Sequence, residues 1–228
     1  MARRPVFIPC YNKNNAIDEL FLEFKWHPGF AEVQKKKNVA GLHEAARGAG
    51  LKNVLEVSTK SESKLGYRLS AFNLKVELSS GSKISLESAY QGSKIFANGG
   101  PYKDLYFKTA REAKKDPRLK SSGTIVGFEF DGLYFDSEPK NAFYDWLYLY
   151  ALKDHADFLV RLLKFDAFSD IEFNPEKSLN SQARSCALLA FLIYKGEFPR
   201  IVYHVDDFYK FVKENISQAA LIDQPKLM

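Results

Sequence analysis

The chain has 228 residues, 46% of them hydrophobic and 27% charged, which is length and apolar content enough for one domain with a sizeable core. Basic side chains outnumber acidic ones by 33 to 28, and the resulting +5 charge suits an anionic partner without requiring one. Two distant cysteines, Cys10 and Cys186, and four histidines without ligand spacing argue against a disulfide and a zinc site, and no apolar run is long enough to span a membrane.

The opening Met1-Ala2-Arg3-Arg4-Pro5 leads into no apolar segment of signal-peptide type, so a reduced, cytoplasmic setting is expected. No repeat or linker divides the chain. One domain is expected over residues 1–228, with a core at about 24–196, a helical extension at 197–220 and a tail at 221–228.

In chain order, Val6 to Tyr11 and Leu20 to Trp26 read as strands, the second alternating Leu22, Phe24 and Trp26 with Glu23 and Lys25. Gly29 to Gly50 reads as a helix closed by glycine, Val54 to Val57 as a short strand, and Tyr67 to Leu78 as another. Ser85 can cap a helix running to about Ala97, stopped by Asn98-Gly99-Gly100-Pro101. A basic helix, Thr109 to Lys120, precedes a hairpin from Thr124 to Phe135 turning at Asp131-Gly132. Asn141 to Leu163 reads as one long apolar helix. Asn174 can cap the next, with Pro175 at its first position and its end near Gly196, and Asp206 to Asn215 reads as a last amphipathic helix. Blocks of helices and short antiparallel strands, without βαβ alternation, predict a helix-dominated α+β fold, and the absence of GxGxxG and Walker sequences disfavours a Rossmann or P-loop site.

Four groups of residues are candidates for chemistry. Glu87, Gln91 and Lys94 fall on one helical stripe, which is either a solvated face or a site; the helix-breaking Gly92 within it points to a close approach by backbone or ligand. Asp170 and Glu172 stand just before a capped helix start, and Lys177, Asn180 and Arg184 recur on one face of that helix, where free N–H groups suit a phosphate or simply a solvated cap. Asp145, among apolar neighbours in Phe143-Tyr144-Asp145-Trp146-Leu147, is expected to be partly buried and to need a partner. The run Arg111, Lys114, Lys115, Arg118 and Lys120 is a solvated face by default or a track for a DNA backbone.

Taken together these segments resemble the NADAR, or YbiA-like, family. Its signature, Leu-Ser-x-Phe followed by a Glu and then Gln and Lys, is similar to Leu69-Ser70-Ala71-Phe72, Glu87, Gln91 and Lys94. The strings Phe24-Lys25-Trp26-His27-Pro28-Gly29-Phe30, Gly99-Gly100-Pro101-Tyr102-Lys103-Asp104-Leu105, Arg111-Glu112-Ala113-Lys114-Lys115-Asp116 and Asp170-Ile171-Glu172-Phe173-Asn174-Pro175 resemble the branch found beside DarT-type toxins. Many YbiA-like proteins carry Trp-Gly near the acidic stretch, where this chain has Phe173-Asn174-Pro175.

The resemblance implies a single compact YbiA-like domain, with added short antiparallel strands near the N-terminus and a mid-chain hairpin. It implies an N-glycosidase that frees guanine in DNA from ADP-ribose and so reverses a DarT-type toxin. Glu87 is then the first candidate to stabilise an oxocarbenium-like ribose or activate water, with Asp170 and Glu172 behind it. Lys94 is either a plain cation or an amine that exchanges into a ring-opened imine. Ligand contacts are expected from Ser70, Phe72, Tyr90, Gln91, Gly99, Gly100, Tyr102, Lys114, Asp145, Trp146, Lys177, Asn180 and Arg184, with ADP-ribosylated DNA as substrate, ADP-ribose as product and no cofactor or metal. Two other readings stay open: a non-catalytic antitoxin that binds a cognate toxin, and a glycosidase for a small phosphorylated metabolite.

Overall fold

A computed structural model describes residues 1–13, 15–176 and 178–216; Lys177 and the expected tail at 221–228 lie outside the described residues. The chain opens with a long antiparallel pair, β1 (Ala2–Pro9) and β2 (Ile17–Phe24), in register from Ala2↔Phe24 to Pro9↔Ile17. Helix α1 (Glu32–Gly48) follows and ends as expected: Gly50 takes φ +92° and Leu51 N–H reaches back to the Ala46 carbonyl at 3.0 Å. Next comes β3 (Val54–Glu56).

The segment expected as a strand from Tyr67 to Leu78 is instead helix α2 (Lys64–Arg68), a turn at 70–73 and the short β4 (Lys75–Glu77), paired with β5 (Lys83–Ser85). Ser63 caps α2 through Leu65 N–H, and the Asn73 amide donates to the Tyr67 carbonyl at 2.7 Å, closing the turn. Ser85 caps α3 (Leu86–Gly92) through Ser88 N–H, as its sequence indicated.

That helix stops well short of Ala97. Chain direction changes at Ser93, and residues from Lys94 form β6 (Lys94–Phe96), the first strand of an antiparallel sheet with β7 (Ile125–Phe130) and β8 (Leu133–Asp136). Between them the basic stretch splits into α4 (Ala110–Lys115) and α5 (Arg118–Ser121) at Asp116-Pro117, since proline disfavours helical backbone in the residue before it. The β7–β8 turn has positive φ at Asp131 (52°) and Gly132 (85°), the tight two-residue hairpin expected from Asp-Gly.

The expected helix over Asn141 to Leu163 breaks after one part of its length. Helix α6 (Ala142–Tyr150) is nearly all buried; a 3-10 turn, α7 (Ala156–Leu159) and a second 3-10 turn then redirect the chain so that Leu159 and Leu162 also reach the core. Strand β9 (Ala167–Ser169) inserts between β1 and β3, antiparallel to the first and parallel to the second. The four-stranded sheet therefore has the order β2-β1-β9-β3 and is mixed, not purely antiparallel. Helix α8 (Gln182–Tyr194) begins at Gln182, not at Pro175: Asn174 closes only a local turn, accepting from Glu176 N–H at 3.1 Å. Helix α9 (Val205–Asn215) completes the described chain.

The result is a mixed α+β fold in which α6 and α8 form the centre. Phe128, Phe135, Phe143 and Trp146 pack there, with Phe128 and Phe143 rings 4.4 Å apart and Phe135 and Trp146 rings 4.6 Å apart. Segments outside the expected core limits of 24–196 share this packing. Phe7 of β1 and Phe208 and Val212 of α9 are buried in the same cluster, and the Trp146 indole donates to the Val202 carbonyl at 3.0 Å. No helix among the described residues is long and apolar enough to cross a membrane.

Candidate functional site

The site forms where α3, the start of α8, the buried side of α6 and the segment after β9 meet. Helix α3 supplies its first part. The Gln91 amide donates to Glu87 Oε1 at 2.7 Å, and its carbonyl oxygen accepts from Lys94 Nζ at 2.7 Å. One amide thus bridges acid and amine, with its two ends fixed by what each neighbour needs. The helical stripe expected for these three residues is not how they meet, because Lys94 has left the helix and begins β6; the turn at Ser93 brings it back under Gln91.

Burial pushes the Lys94 amine down to about 8; Lys114 nearby pushes the same way and Glu87 opposes both. Lys94 Nζ also lies 4.6 Å over the Tyr90 ring. Gly92 and Gly100 hold this corner by close packing with protein. A Cβ on Gly92 would meet the Tyr106 ring at 2.5 Å, and one on Gly100, at φ +81°, would meet the Lys94 carbonyl at 2.3 Å. The tight approach expected at Gly92 is therefore by the Tyr106 ring and not by a ligand.

The second part is a set of buried acids and their partners. Asp145 on α6 is 1% exposed; it pairs with Arg184 and accepts from the Ser185 hydroxyl at 2.7 Å, both on α8. Burial raises its carboxyl against the opposing pull of Arg184. Asp170 is buried in the turn after β9, accepts from Glu172 N–H at 3.0 Å and from the Gln182 side chain, and is raised well above the carboxylate range by burial and by Glu56. Gln182 Oε1 also accepts from Ala71 N–H at 2.6 Å, which ties the turn at 70–73 to the start of α8.

Two residues join the halves. The Asn180 amide donates to the Tyr90 hydroxyl at 2.6 Å. Tyr144, packed edge-on to Tyr90 at 5.2 Å, is buried and feels the charges of Glu87, Asp170 and Asp145 together, so its hydroxyl stays protonated well above its ordinary range. Ser70 Oγ, Asn180 Oδ1 and Ser181 Oγ are buried here without a hydrogen-bond partner among the described residues, three polar atoms that a polar ligand can satisfy.

Thus Glu87, Gln91, Lys94 and Tyr90 come together and Tyr90 reaches Asn180, while the Tyr144 hydroxyl lies within electrostatic reach of Glu87, Asp170 and Asp145, the last paired with Arg184. Others do not join as expected. Trp146 is 1% exposed within the core and cannot stack on a ligand. Glu172 is exposed and accepts from the Thr59 hydroxyl at 3.3 Å, while Phe72 is 54% exposed on the outer side of its turn. Gly99, Gly100 and Tyr102 support β6 from behind; the Tyr102 hydroxyl meets that of Ser122, and its ring lies under the Arg118 guanidinium at 4.4 Å. Arg118 is itself taken by Asp104 and Asp116, so within the basic run Arg111, Lys114, Lys115 and Lys120 are the exposed cations. Lys177 lies outside the described residues.

Sequence reasoning missed Glu56, Gln182 and Ser185. Glu56 did carry a signal, an acid enclosed by Val54, Leu55 and Val57, of the same kind that singled out Asp145. No group of three His, Cys, Asp or Glu side chains suited to a metal occurs among the described residues.

A search among curated proteins found no match. Over residues 2–221 the chain matches the model of the DarT1-associated NADAR antitoxins, and it belongs to that family.

Proposed function

We propose that this chain is an N-glycosidase that removes ADP-ribose from guanine in DNA and thereby acts as antitoxin to a DarT-type toxin, working as a single NADAR-like domain of YbiA-like fold. The observation that carries the reading is the Glu87–Gln91–Lys94 bridge: a carboxylate and an amine of depressed pKa, set apart by one amide.

Each group has a role in such a cleavage. As the bond between the anomeric carbon and the guanine nitrogen lengthens, positive charge develops on the ribose, and the Glu87 carboxylate stabilises it or takes a proton from attacking water. Asp170, whose protonated form is favoured by burial and by Glu56, supplies the proton that the departing base needs. In the covalent form, the ring-opened sugar bears an imine to guanine. The neutral Lys94 amine adds to that carbon, its two protons pass to the guanine nitrogen and guanine leaves as the free amine; water then cleaves the lysine imine, returning the amine and releasing ADP-ribose. Lys114 and the exposed cations of α4 serve the phosphates of the nucleotide or the DNA strand.

The test uses an oligonucleotide carrying ADP-ribosyl guanine, with adduct loss followed by mass. The wild type removes the adduct and Glu87→Gln slows removal by roughly a hundredfold or more. Loss with neither protein sinks the reading of a DNA de-ADP-ribosylating enzyme and leaves toxin binding or a small-molecule substrate. Borohydride added during turnover traps ADP-ribose on the wild type and not on Lys94→Arg if the covalent form holds.

A further inference from the structure

Beneath Asp170 lies a hydrogen-bonded chain that the scheme above does not use. Glu56, on β3, is 3% exposed. Its Oε1 accepts from the Ser58 hydroxyl at 2.5 Å and from Ile171 N–H at 2.9 Å; its Oε2 accepts from the Ser169 hydroxyl at 2.6 Å. Ser169 and Ile171 are the residues on either side of Asp170. The parallel β3–β9 pairing places Glu56 opposite Ser169, and Val57 N–H binds the Ser169 carbonyl at 2.7 Å, so the register of the sheet itself delivers the carboxyl to this turn. Helix α2 closes the other side: a Cβ on Gly66 would meet the Glu56 carbonyl at 1.9 Å, so only glycine fits there.

The chain continues outward. His43 Nε2, on α1, is 2.9 Å from Ser169 Oγ. Ser169 has one hydroxyl proton and gives it to Glu56, so His43 donates through Nε2–H and is the Nε2-protonated tautomer. Burial and Arg47 push the His43 imidazole down to about 4, so the ring is neutral near pH 7. Facing Glu56 from the remaining elements are two acids, Asp170 and the exposed Glu172, and no lysine or arginine pairs with it among the described residues.

We propose that Glu56 is the positioning residue for Asp170: its hydrogen bonds to Ser169 and Ile171 fix the turn on both sides of that acid, and its buried carboxyl opposes the ionisation of Asp170. The inference rests on the glycosidase reading for its catalytic meaning. It has separate support in the burial of both acids, 3% and 8% exposed, for an ionised Glu56 raises the cost of ionising Asp170 in the same interior. Accordingly burial and Glu172 push Glu56 up to about 7.

The experiment compares wild type, Glu56→Gln and Ser169→Ala by two readouts. One is the pH profile of kcat and KM on the ADP-ribosylated oligonucleotide. The other is an infrared titration of the Asp170 carboxyl in the free protein, its band assigned with Asp170→Asn. Glutamine can keep the contacts to Ile171 and Ser169 while removing the negative charge. The alkaline limb of kcat and the Asp170 titration are then expected to move down by about one pH unit, with KM nearly unchanged. In Ser169→Ala, loss of one tether is expected to lower kcat by roughly tenfold at unchanged KM. Wild-type cleavage with a Glu56→Gln profile that superimposes on it overturns this inference and leaves the glycosidase reading standing. No cleavage by the wild type overturns that reading instead. The infrared titration then decides alone: a lowered Asp170 midpoint in Glu56→Gln supports the pairing, and an unmoved one refutes it. If Glu56→Gln does not fold, Ser169→Ala carries the test, and an unchanged kcat there refutes the positioning role.

Discussion

Lys94 is held between opposing influences, and each can be removed in turn. Burial and Lys114 lower its affinity for a proton, and Glu87 raises it. Replacing Lys114 with Gln should therefore raise the Lys94 pKa above about 8, and the acid limb of borohydride trapping against pH should move upward with it. An unmoved limb would mean that Lys114 acts only on phosphate. Glu56 makes a prediction of opposite kind. Its folded pKa of about 7 lies above the 4.5 of an ordinary glutamate, so its contribution to stability is fully present below pH 4.5 and is lost as pH rises to 7. Denaturant unfolding of the wild type should lose on the order of 3 kcal/mol across that window, and Glu56→Gln should flatten the curve. Glu87, Gln91 and Lys94 were legible as residues because their types and order survive in a short string, even though the helix assumed to align them ends at Gly92. Glu56 and Asp170 were not legible as a pair, because their contact depends on strand register.

At the level of elements, α6 and α8 are joined by one buried charge pair. Arg184→Met leaves the Asp145 carboxylate buried opposite only Ser185, and should cost about 3–5 kcal/mol in unfolding free energy. Adding Asp145→Asn should recover most of that loss; failure to recover would place the cost in packing instead of charge. Gly92→Ala tests a second junction. The added methyl collides with the buried Tyr106 ring and should cost roughly 1–3 kcal/mol, seen as a lowered Tm. Strands β1 and β2, helix α1, the Asp131-Gly132 hairpin and helix α9 were legible in advance, each marked by local periodicity or turn chemistry. The failures share one cause. Apolar periodicity promised a single helix over Asn141 to Leu163 and a strand over Tyr67 to Leu78, but tertiary contacts decide both. The Tyr148 hydroxyl donates to the Leu69 carbonyl at 2.5 Å, and Leu159 and Leu162 reach the core only because the chain bends after Tyr150.

Across the whole molecule, the first and last described elements cover its centre. Strand β1 stands inside the four-stranded sheet, and α9 packs over Trp146 and β8, where the Tyr209 hydroxyl donates to the Asp136 carbonyl at 3.0 Å. Ending the chain at Gly196 should strip Phe208, Tyr209 and Val212 from that core, giving a protein that binds a hydrophobic dye and unfolds without a cooperative transition. A truncated chain that melts as sharply as the full one would show the last helix to be dispensable.

The parallel pairing of β3 with β9 sets a condition on time as well as on space. Glu56 and Ser169 are 113 positions apart, and every residue between them is synthesised before the two can touch. A nascent chain that has passed Glu87 and Lys94 already owns that carboxylate and amine but lacks Asp170. On the glycosidase reading proposed above, translation products that stop within that interval are expected to be inactive, because the turn at Asp170 is not yet made.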